Sequence, residues 1–211
     1  MKCVIIANGD LEYTNDIYHL IKDTPLIICA DGGARHLRAL NISPHIMIGD
    51  FDSISPADKL FFKEKQVEIL PFPSRKNHTD SELCVSWALE NNATDITLLA
   101  VTGTRMDHTL ANIFLLKKLA GLHIPARILN RNNEIYIVTG FREIKGRPGD
   151  FLSIVPVTEK ASGITLKGLE YPLVNASIEM GSSLGIGNSF KGTFASVSIE
   201  KGVLIVTKST D

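Results

Sequence analysis

The chain has 211 residues, of which 44% are hydrophobic, and its formal net charge at pH 7 is −1. The hydrophobic fraction excludes a disordered chain, and the near-zero charge gives no global attraction to nucleic acid or to an anionic membrane. No stretch reaches transmembrane length. The three cysteines lack the C-x-x-C spacing of a zinc site, and their odd number argues against a disulfide framework. We therefore expect a cytoplasmic protein with one large or two small domains.

The first 130 residues alternate short apolar runs with amphipathic segments. The apolar runs predict strands at residues 2–7, 26–30, 46–48, 67–70, 96–101 and 126–129. The segments between them predict helices at residues 15–22, 34–40, 55–65, 79–90 and 107–120. Strands that alternate with helices predict a mostly parallel sheet with flanking helices, so we expect an α/β domain over residues 1–130.

Two of these helices carry specific expectations. The spacing Thr79-x-x-Glu82 predicts a capping box at the start of its helix. In the last helix, the spacing of the apolar residues predicts that Leu110, Phe114 and Leu119 face the core.

The pattern changes after about residue 130. Short β-prone runs separated by Gly, Pro, Asn and Ser occupy residues 134–139, 141–145, 151–156, 163–167, 193–199 and 203–207. No helical period is visible among them. This pattern predicts a small antiparallel β-sandwich or barrel as a second domain, over residues 131–211.

Three aspartates directly follow predicted strands. Asp31 comes after the second strand, and Asp50 and Asp52 come after the third. In parallel sheets, ligands bind beyond the carboxyl ends of the strands. Two neighbouring carboxylates repel each other unless a cation neutralises them, and oxygen ligands of this kind suit Mg²⁺. The alternatives are an Asx turn for the pair and a helix cap for Asp31.

Other polar side chains lie on the connections that follow the next two strands. Asp80 is a further candidate metal ligand, and Lys76 and Arg105 are candidates to neutralise phosphate oxygens. Thr79 and Asp80 begin a helix, whose free N–H groups favour anions. The alternatives are that Thr79 is only a helix cap and that Arg105 only pairs with Asp107.

Four motifs carry a resemblance to a known family. They occupy residues 30–34 (ADGGA), 49–53 (GDFDS), 76–80 (KNHTD) and 102–108 (TGTRMDH). In this order they resemble the motifs of the thiamine pyrophosphokinase (thiamin diphosphokinase) family. Residues 185–190 and 202–206 resemble parts of the C-terminal β domain of that family.

The resemblance implies a reaction in which ATP and thiamine give thiamine diphosphate and AMP. It also implies Mg²⁺ dependence and a homodimer, with thiamine bound between the α/β domain of one subunit and the β domain of the other. On this reading, residues 1–130 bind nucleotide and metal, and residues 131–211 bind thiamine and form the dimer.

The resemblance also implies roles for individual residues. The implied metal ligands are Asp50, Asp52 and Asp80. The implied catalytic set is Asp31, Asp50, Asp52, Asp80, Arg105 and Asp107. Contacts with ATP or thiamine are implied for Lys76, Thr79, Arg105, Ser183 and Asn188. Gly187 stands where many members have Ser, and Phe190 is a candidate for an aromatic contact with thiamine.

Two alternative functions remain open. One is a metal-dependent nucleotide phosphohydrolase that uses water as the acceptor, for which AMP and pyrophosphate formed without thiamine would be diagnostic. The other is a thiamine- or nucleotide-binding regulator without turnover. We expect such a regulator to have an incomplete set of aspartates, whereas the set in this chain is complete.

Overall fold

The computed structural model describes residues 1–73 and 77–210. The chain divides into two compact units, Met1–Arg131 and Asn132–Asp211. Each unit contains a hydrophobic cluster of its own. Within the described residues, no helix combines the length and the hydropathy needed to cross a membrane.

The first unit is an α/β fold. Its strands are β1 (Lys2–Ile6), β2 (Leu26–Ala30), β3 (Ile46–Gly49), β4 (Glu68–Pro71), β5 (Asp95–Leu99) and β6 (Ala126–Leu129). Its described helices are α1 (Asn15–Lys22), α2 (Ala34–Ala39), α3 (Pro56–Glu64), α4 (Asp80–Glu90) and α5 (Met106–Gly121). This architecture confirms the predicted mostly parallel sheet with flanking helices.

The sheet of the first unit has the order β6-β5-β1-β2-β3-β4, and every neighbouring pair is parallel. The central strands are rich in Ile, Val and Leu, and β2 is buried along its whole length because helices cover both faces of such a sheet. All six strands therefore end at the same edge. We call it the carboxyl edge, and it receives the aspartates that follow β2 and β3.

Helix α5 departs from the prediction. Leu119 is fully buried, as predicted, but Leu110 and Phe114 are each 48% exposed. The helix carries apolar residues on more than one face, and Leu116 belongs to the face that is buried. The period of the sequence did not distinguish the two faces. Leu110, Phe114 and Met106 form what we call the exposed face of α5.

The second unit is a sandwich of two antiparallel sheets. Its strands are β7 (Asn133–Val138), β8 (Phe141–Lys145), β9 (Phe151–Pro156), β10 (Lys160–Lys167), β11 (Leu173–Glu179), β12 (Asn188–Ser189), β13 (Phe194–Ser198) and β14 (Leu204–Ser209). One sheet has the order β7-β14-β9-β12 and the other β11-β10-β13-β8. Apolar side chains from both sheets form one cluster between them, so the predicted sandwich is confirmed.

Strand β11 was missed by the sequence analysis. Its residues include Asn, Ala, Ser and Glu, which are weak strand formers. Asn175 has a positive φ of 50°, and the pairing of β11 with β10 is irregular. Tertiary pairing therefore makes this segment a strand where its local pattern does not.

An ion pair between the exposed Arg38 and the buried Asp58 joins α2 to the start of α3. Asp58 is 8% exposed, and its carboxylate accepts hydrogen bonds from Ser55 Oγ at 2.6 Å and Arg38 Nη1 at 3.0 Å. Ser55 in turn caps α3 by accepting the Asp58 N–H at 3.1 Å. Burial alone would raise the pKa of Asp58, but the bonds from Ser55 and Arg38 outweigh it and lower the pKa below its ordinary value of 3.8.

We expect Asp58→Asn to destabilise the protein by about 2 kcal/mol at pH 7, because the variant loses hydrogen bonds to a charged group. Since the folded-state pKa is lowered, the charge of Asp58 contributes stability above its ordinary pKa of 3.8. That contribution is lost as the pH falls through the folded-state pKa. Urea unfolding of both proteins between pH 7 and pH 2.5 measures the difference.

Asp16→Asn is the matched control, because Asp16 is an exposed aspartate on α1. It should change the unfolding free energy by no more than about 0.5 kcal/mol. A gap between Asp58→Asn and the wild type that stayed constant down to the lowest pH would contradict the assignment.

Candidate functional site

Asp31 lies directly beyond β2 and begins a single 3-10 turn, Asp31–Gly33. It is 7% exposed and has a positive φ of 41°, a conformation that Asp tolerates better than most residues. Gly49, at the end of the neighbouring strand β3, leaves the space that Asp31 needs. A Cβ atom on Gly49 would lie 2.8 Å from the Asp31 Cβ atom.

Asp50 and Asp52 lie on the loop that follows β3. Asp50 Oδ1 accepts the Asp52 N–H at 3.3 Å, and Ser53 Oγ donates to Asp52 Oδ1 at 2.9 Å. Phe51 between them has a positive φ of 60°. The local turn that the sequence analysis offered as an alternative is therefore present, and it holds both carboxylates on a short, strained loop.

Asp31, Asp50 and Asp52 come together at the carboxyl edge. Each offers a carboxylate oxygen, and the three atoms lie within 4.8 Å of one another. We call this group the carboxylate cluster. Burial is the main cause that raises the pKa of Asp31 above its ordinary value, and the charges of Asp80 and Asp50 raise it further, while Ser53 and the Gly32 N–H oppose the rise.

One oxygen of the cluster lacks a partner. Asp31 Oδ1 is buried and accepts no hydrogen bond from any described residue. Leaving a buried carboxylate oxygen unsatisfied is costly, and three carboxylates this close repel one another. A divalent cation with oxygen ligands would relieve both costs, so the donor set of the cluster fits Mg²⁺.

Asp80 is the first residue of α4. Its carboxylate is not one of the three oxygens that lie within 4.8 Å of one another among the described residues. Its charge nevertheless acts on Asp31. Asp31 thus joins the aspartate pair in this group, and the ligand set of Asp50, Asp52 and Asp80 stays a prediction.

Thr79 is the N-cap of α4, since its hydroxyl accepts the Glu82 N–H at 3.2 Å. The Glu82 side chain instead accepts from Lys118 Nζ at 2.9 Å and lies 3.1 Å from His78 Nδ1. These two interactions lower the pKa of Glu82. The predicted helix start is therefore present, and the Glu82 carboxylate forms ion pairs with Lys118 and His78. Lys76 lies outside the described residues.

Arg105 and Asp107 pair with each other at the start of α5. Arg105 Nη2 lies 2.5 Å from Asp107 Oδ2, and Arg105 Nε lies 3.2 Å from Asp107 Oδ1. The hydrogen bonds from Arg105 hold the pKa of Asp107 at about 2. Both side chains are more than 60% exposed. The pair presents a planar guanidinium to solvent.

The second unit contains a pocket of about 560 Å³. It is lined by Tyr171, Leu173, Ser182, Ser183, Leu184, Gly185, Ile186 and Asn188. Of the residues predicted to contact thiamine, Ser183 and Asn188 are brought together here. The Asn188 side chain is 3% exposed, and it accepts the Tyr171 N–H at 2.9 Å and donates to the Tyr171 carbonyl at 2.7 Å. Asn188 therefore fixes the backbone of the pocket wall.

The aromatic residue at this pocket differs from the expected one. Phe190 is 3% exposed and belongs to the core of the sandwich, so it offers no face to a ligand. Tyr171 is 69% exposed and lines the pocket. The sequence analysis missed Tyr171 because it lies on the connection before the unpredicted strand β11.

A parallel sheet with carboxylates gathered at its carboxyl edge is the arrangement of an enzyme that binds its substrate at that edge. Comparison with protein families agrees with this class. The family model described as "Thiamin pyrophosphokinase, catalytic domain" matches residues 17–128, and "Thiamin pyrophosphokinase, vitamin B1 binding domain" matches residues 141–204.

Full-length relatives lead to the same family. The chain is 32% identical over 209 residues to thiamine pyrophosphokinase of Bacillus subtilis (strain 168), covering 98% of both chains. A crystal structure of the Bacillus subtilis thiamine pyrophosphokinase superposes with a TM-score of 0.91 at 31% identity and full coverage of both chains. That of Geobacillus thermodenitrificans gives 0.87 at 29% identity, covering 100% of this chain and 98% of the other. The chain belongs to the thiamine pyrophosphokinase family.

We expect Asp31→Asn to stabilise the metal-free protein by about 1 kcal/mol at pH 7 in EDTA. The amide removes the charge that burial and the neighbouring carboxylates disfavour, and Asn tolerates the same positive φ. Urea unfolding of the variant and the wild type gives the difference. Asp16→Asn is again the control. An Asp31→Asn protein that proved less stable than the wild type would show that repulsion between Asp31 and the neighbouring carboxylates does not destabilise the metal-free protein.

Proposed function

We propose that this chain transfers the pyrophosphoryl group of ATP to the hydroxyl of thiamine, giving thiamine diphosphate and AMP. The observation that carries the proposal is the family match across both units, over residues 17–128 and 141–204. The carboxylate cluster supports it independently, because this chemistry needs the charge of a triphosphate to be neutralised.

We propose that Mg²⁺ is held by the carboxylate cluster, Asp31, Asp50 and Asp52. The unpartnered Asp31 Oδ1 and the spacing of the three oxygens support this assignment. Asp80 stays in the site as a further carboxylate whose charge reaches Asp31. When bound, the metal neutralises phosphate charge and orients the triphosphate.

The side chains beside the cluster have complementary roles. Arg105 stabilises phosphate oxygens as charge develops, and Asp107 holds its guanidinium in the required orientation, as the fork between them suggests. Thr79 caps α4, and the dipole of that helix favours an anion at its N-terminus, where Asp80 is the first residue. Lys76 is a further candidate for a phosphate contact. The proton of the thiamine hydroxyl passes to one of the carboxylates.

We propose that the pocket of the second unit binds thiamine. Thiamine carries a positively charged thiazolium ring, and an exposed tyrosine attracts such a cation over its ring face. Tyr171 supplies that face, and the exposed Ser183 supplies a hydroxyl. Asn188 holds the Tyr171 backbone in place.

We also propose that the active protein is a homodimer with its active site at the subunit interface. The exposed face of α5 supports an interface, because Met106, Leu110 and Phe114 are 62%, 48% and 48% exposed. Sedimentation equilibrium gives the mass directly. A monomer that retained full activity would refute the shared site.

Nucleotide product analysis tests the function. Purified protein is incubated with ATP, with and without thiamine and with and without Mg²⁺. AMP and thiamine diphosphate should appear together, and only when both thiamine and Mg²⁺ are present. ADP would mean transfer of a single phosphoryl group. AMP and pyrophosphate without thiamine would favour the phosphohydrolase, and binding without turnover would favour the regulator.

We expect Asp52→Ala and Asp80→Ala each to reduce kcat at least about 1,000-fold while the fold stays intact. Asp52 would hold the cation that neutralises the triphosphate, and the charge of Asp80 beside Asp31 strengthens the attraction of the carboxylate cluster for that cation. Steady-state kinetics and circular dichroism measure the two properties. Asp16→Ala is the matched control and should keep wild-type activity. Wild-type kcat in Asp52→Ala would exclude Asp52 as a metal ligand, and wild-type kcat in Asp80→Ala would exclude a role for the Asp80 charge in the reaction.

We expect Tyr171→Ala to raise the KM for thiamine about 10-fold with a smaller effect on the KM for ATP, because the aromatic face is lost. Tyr171→Phe should stay within about twofold of the wild type, since the ring remains. Val174→Ala removes an 83% exposed apolar side chain that does not line the pocket, and it serves as the control. An unchanged KM in Tyr171→Ala would place thiamine elsewhere.

A further inference from the structure

The connection after β1 is fixed by an arginine from α2. Arg35 Nε donates to Asn8 Oδ1 at 2.8 Å, and Arg35 Nη2 donates to the carbonyls of Asn8 at 2.9 Å and Gly9 at 2.8 Å. One guanidinium therefore satisfies three acceptors on two consecutive residues. We call residues 8–10 the first loop.

The next residue of α2 strengthens the same attachment. His36 is 2% exposed, and its Nε2 donates to the Gly9 carbonyl at 2.9 Å. Its Nδ1 then accepts from the Tyr13 hydroxyl, also at 2.9 Å. One donor and one acceptor are what a neutral imidazole offers. Burial lowers the pKa of His36, which favours this neutral form.

The other side of the first loop is bonded to the segment that follows β5. The Gly9 N–H donates to the Ala100 carbonyl at 2.6 Å, and the Asp10 N–H donates to the Thr102 carbonyl at 2.9 Å. Ala100 has a positive φ of 54°, which is strained for alanine. This segment continues directly to Arg105, so the first loop supports the connection that carries the proposed phosphate-binding arginine.

The first loop also contacts the turn that carries Asp31. The Asn8 side chain lies against Gly32, and a Cβ atom on Gly32 would come within 2.5 Å of Asn8 Cγ. Displacement of Asn8 would therefore remove a packing contact of Gly32, the residue that follows Asp31. Through its two sides, the first loop joins the connection leading to Arg105 to the turn that begins at Asp31.

We propose that Arg35 is a positioning residue for the reaction. It holds the first loop in a conformation that fixes the position of the Asp31 turn relative to the connection that leads to Arg105. This role rests on the proposed function. Lysine cannot replace it, because an ammonium group lacks the planar fork that reaches all three acceptors at once.

The kinetic test compares Arg35→Ala and Arg35→Lys with the wild type. Small displacements of catalytic groups cost rate steeply, so we expect kcat to fall at least about 10-fold in both variants. The KM for thiamine should stay within about twofold, because the pocket proposed for thiamine is lined by residues of the second unit, whereas the first loop belongs to the first unit. Arg38→Ala is the control, since Arg38 lies on the same helix and bonds Asp58.

The control separates positioning from stability. Arg38→Ala removes a partner of a buried carboxylate and should destabilise the fold while keeping kcat near the wild-type value. A wild-type kcat in Arg35→Ala would overturn the proposal. An equal loss of kcat in Arg38→Ala, with an unfolding free energy equal to that of Arg35→Ala, would also overturn it. General destabilisation would then explain the loss in both variants.

A measurement without substrates makes the test independent of the proposed function. Hydrogen exchange followed by NMR should be at least about 10-fold faster for the amides of Gly9 and Asp10 in Arg35→Ala than in Arg38→Ala, because the first loop loses its attachment. Unchanged exchange would overturn the proposal even if no reaction were found. A wild-type protein that made no thiamine diphosphate would refute the proposed function alone.

Discussion

The repulsion among three carboxylates that the fold holds close together is the constraint on which the site depends. Asp31, Asp50 and Asp52 bring oxygens within 4.8 Å of one another. Nothing among the described residues satisfies Asp31 Oδ1. A chain selected only for stability would not keep this arrangement, because neutral side chains would remove the cost. The carboxyl edge of the sheet therefore attracts positive charge.

The two units create binding surfaces by different means. In the parallel sheet, strands that are distant in sequence end at the same edge. Side chains that follow β2, β3 and β5 therefore lie at that edge although they are far apart in the sequence. In the antiparallel sandwich, the pocket is formed by the connection before β11 and the segment before β12. Asn188 stabilises that wall by bonding the Tyr171 backbone on both its donor and acceptor sides.

The sequence predicted the features that depend on local pattern. Buried apolar runs placed β1 to β6, and the Thr79 cap marked the start of α4. It could not choose between the two apolar faces of α5, since packing decides which face is buried. It gave no sign that Tyr171 would be exposed while Phe190 would be buried, because both depend on how β11 and β12 pair.

The composition of the carboxylate cluster was only partly predictable. The motif around Asp50 and Asp52 indicated a metal site, and the shared sheet edge drew attention to Asp31 and Asp80. Choosing between those two requires the positive φ of Asp31 and the space beside Gly49, which are properties of the folded backbone. Similarly, the attachment of the first loop by Arg35 follows from the three-dimensional approach of α2 to the end of β1.

The most direct test of this account is the position of a bound metal. Mn²⁺ accepts the same oxygen ligands as Mg²⁺ and scatters anomalously, so crystals grown with Mn²⁺ would locate the ion. The account predicts an anomalous peak about 2.1 Å from carboxylate oxygens of Asp31, Asp50 and Asp52. A peak held by Asp80 without Asp31, or no peak at the carboxylate cluster, would contradict it.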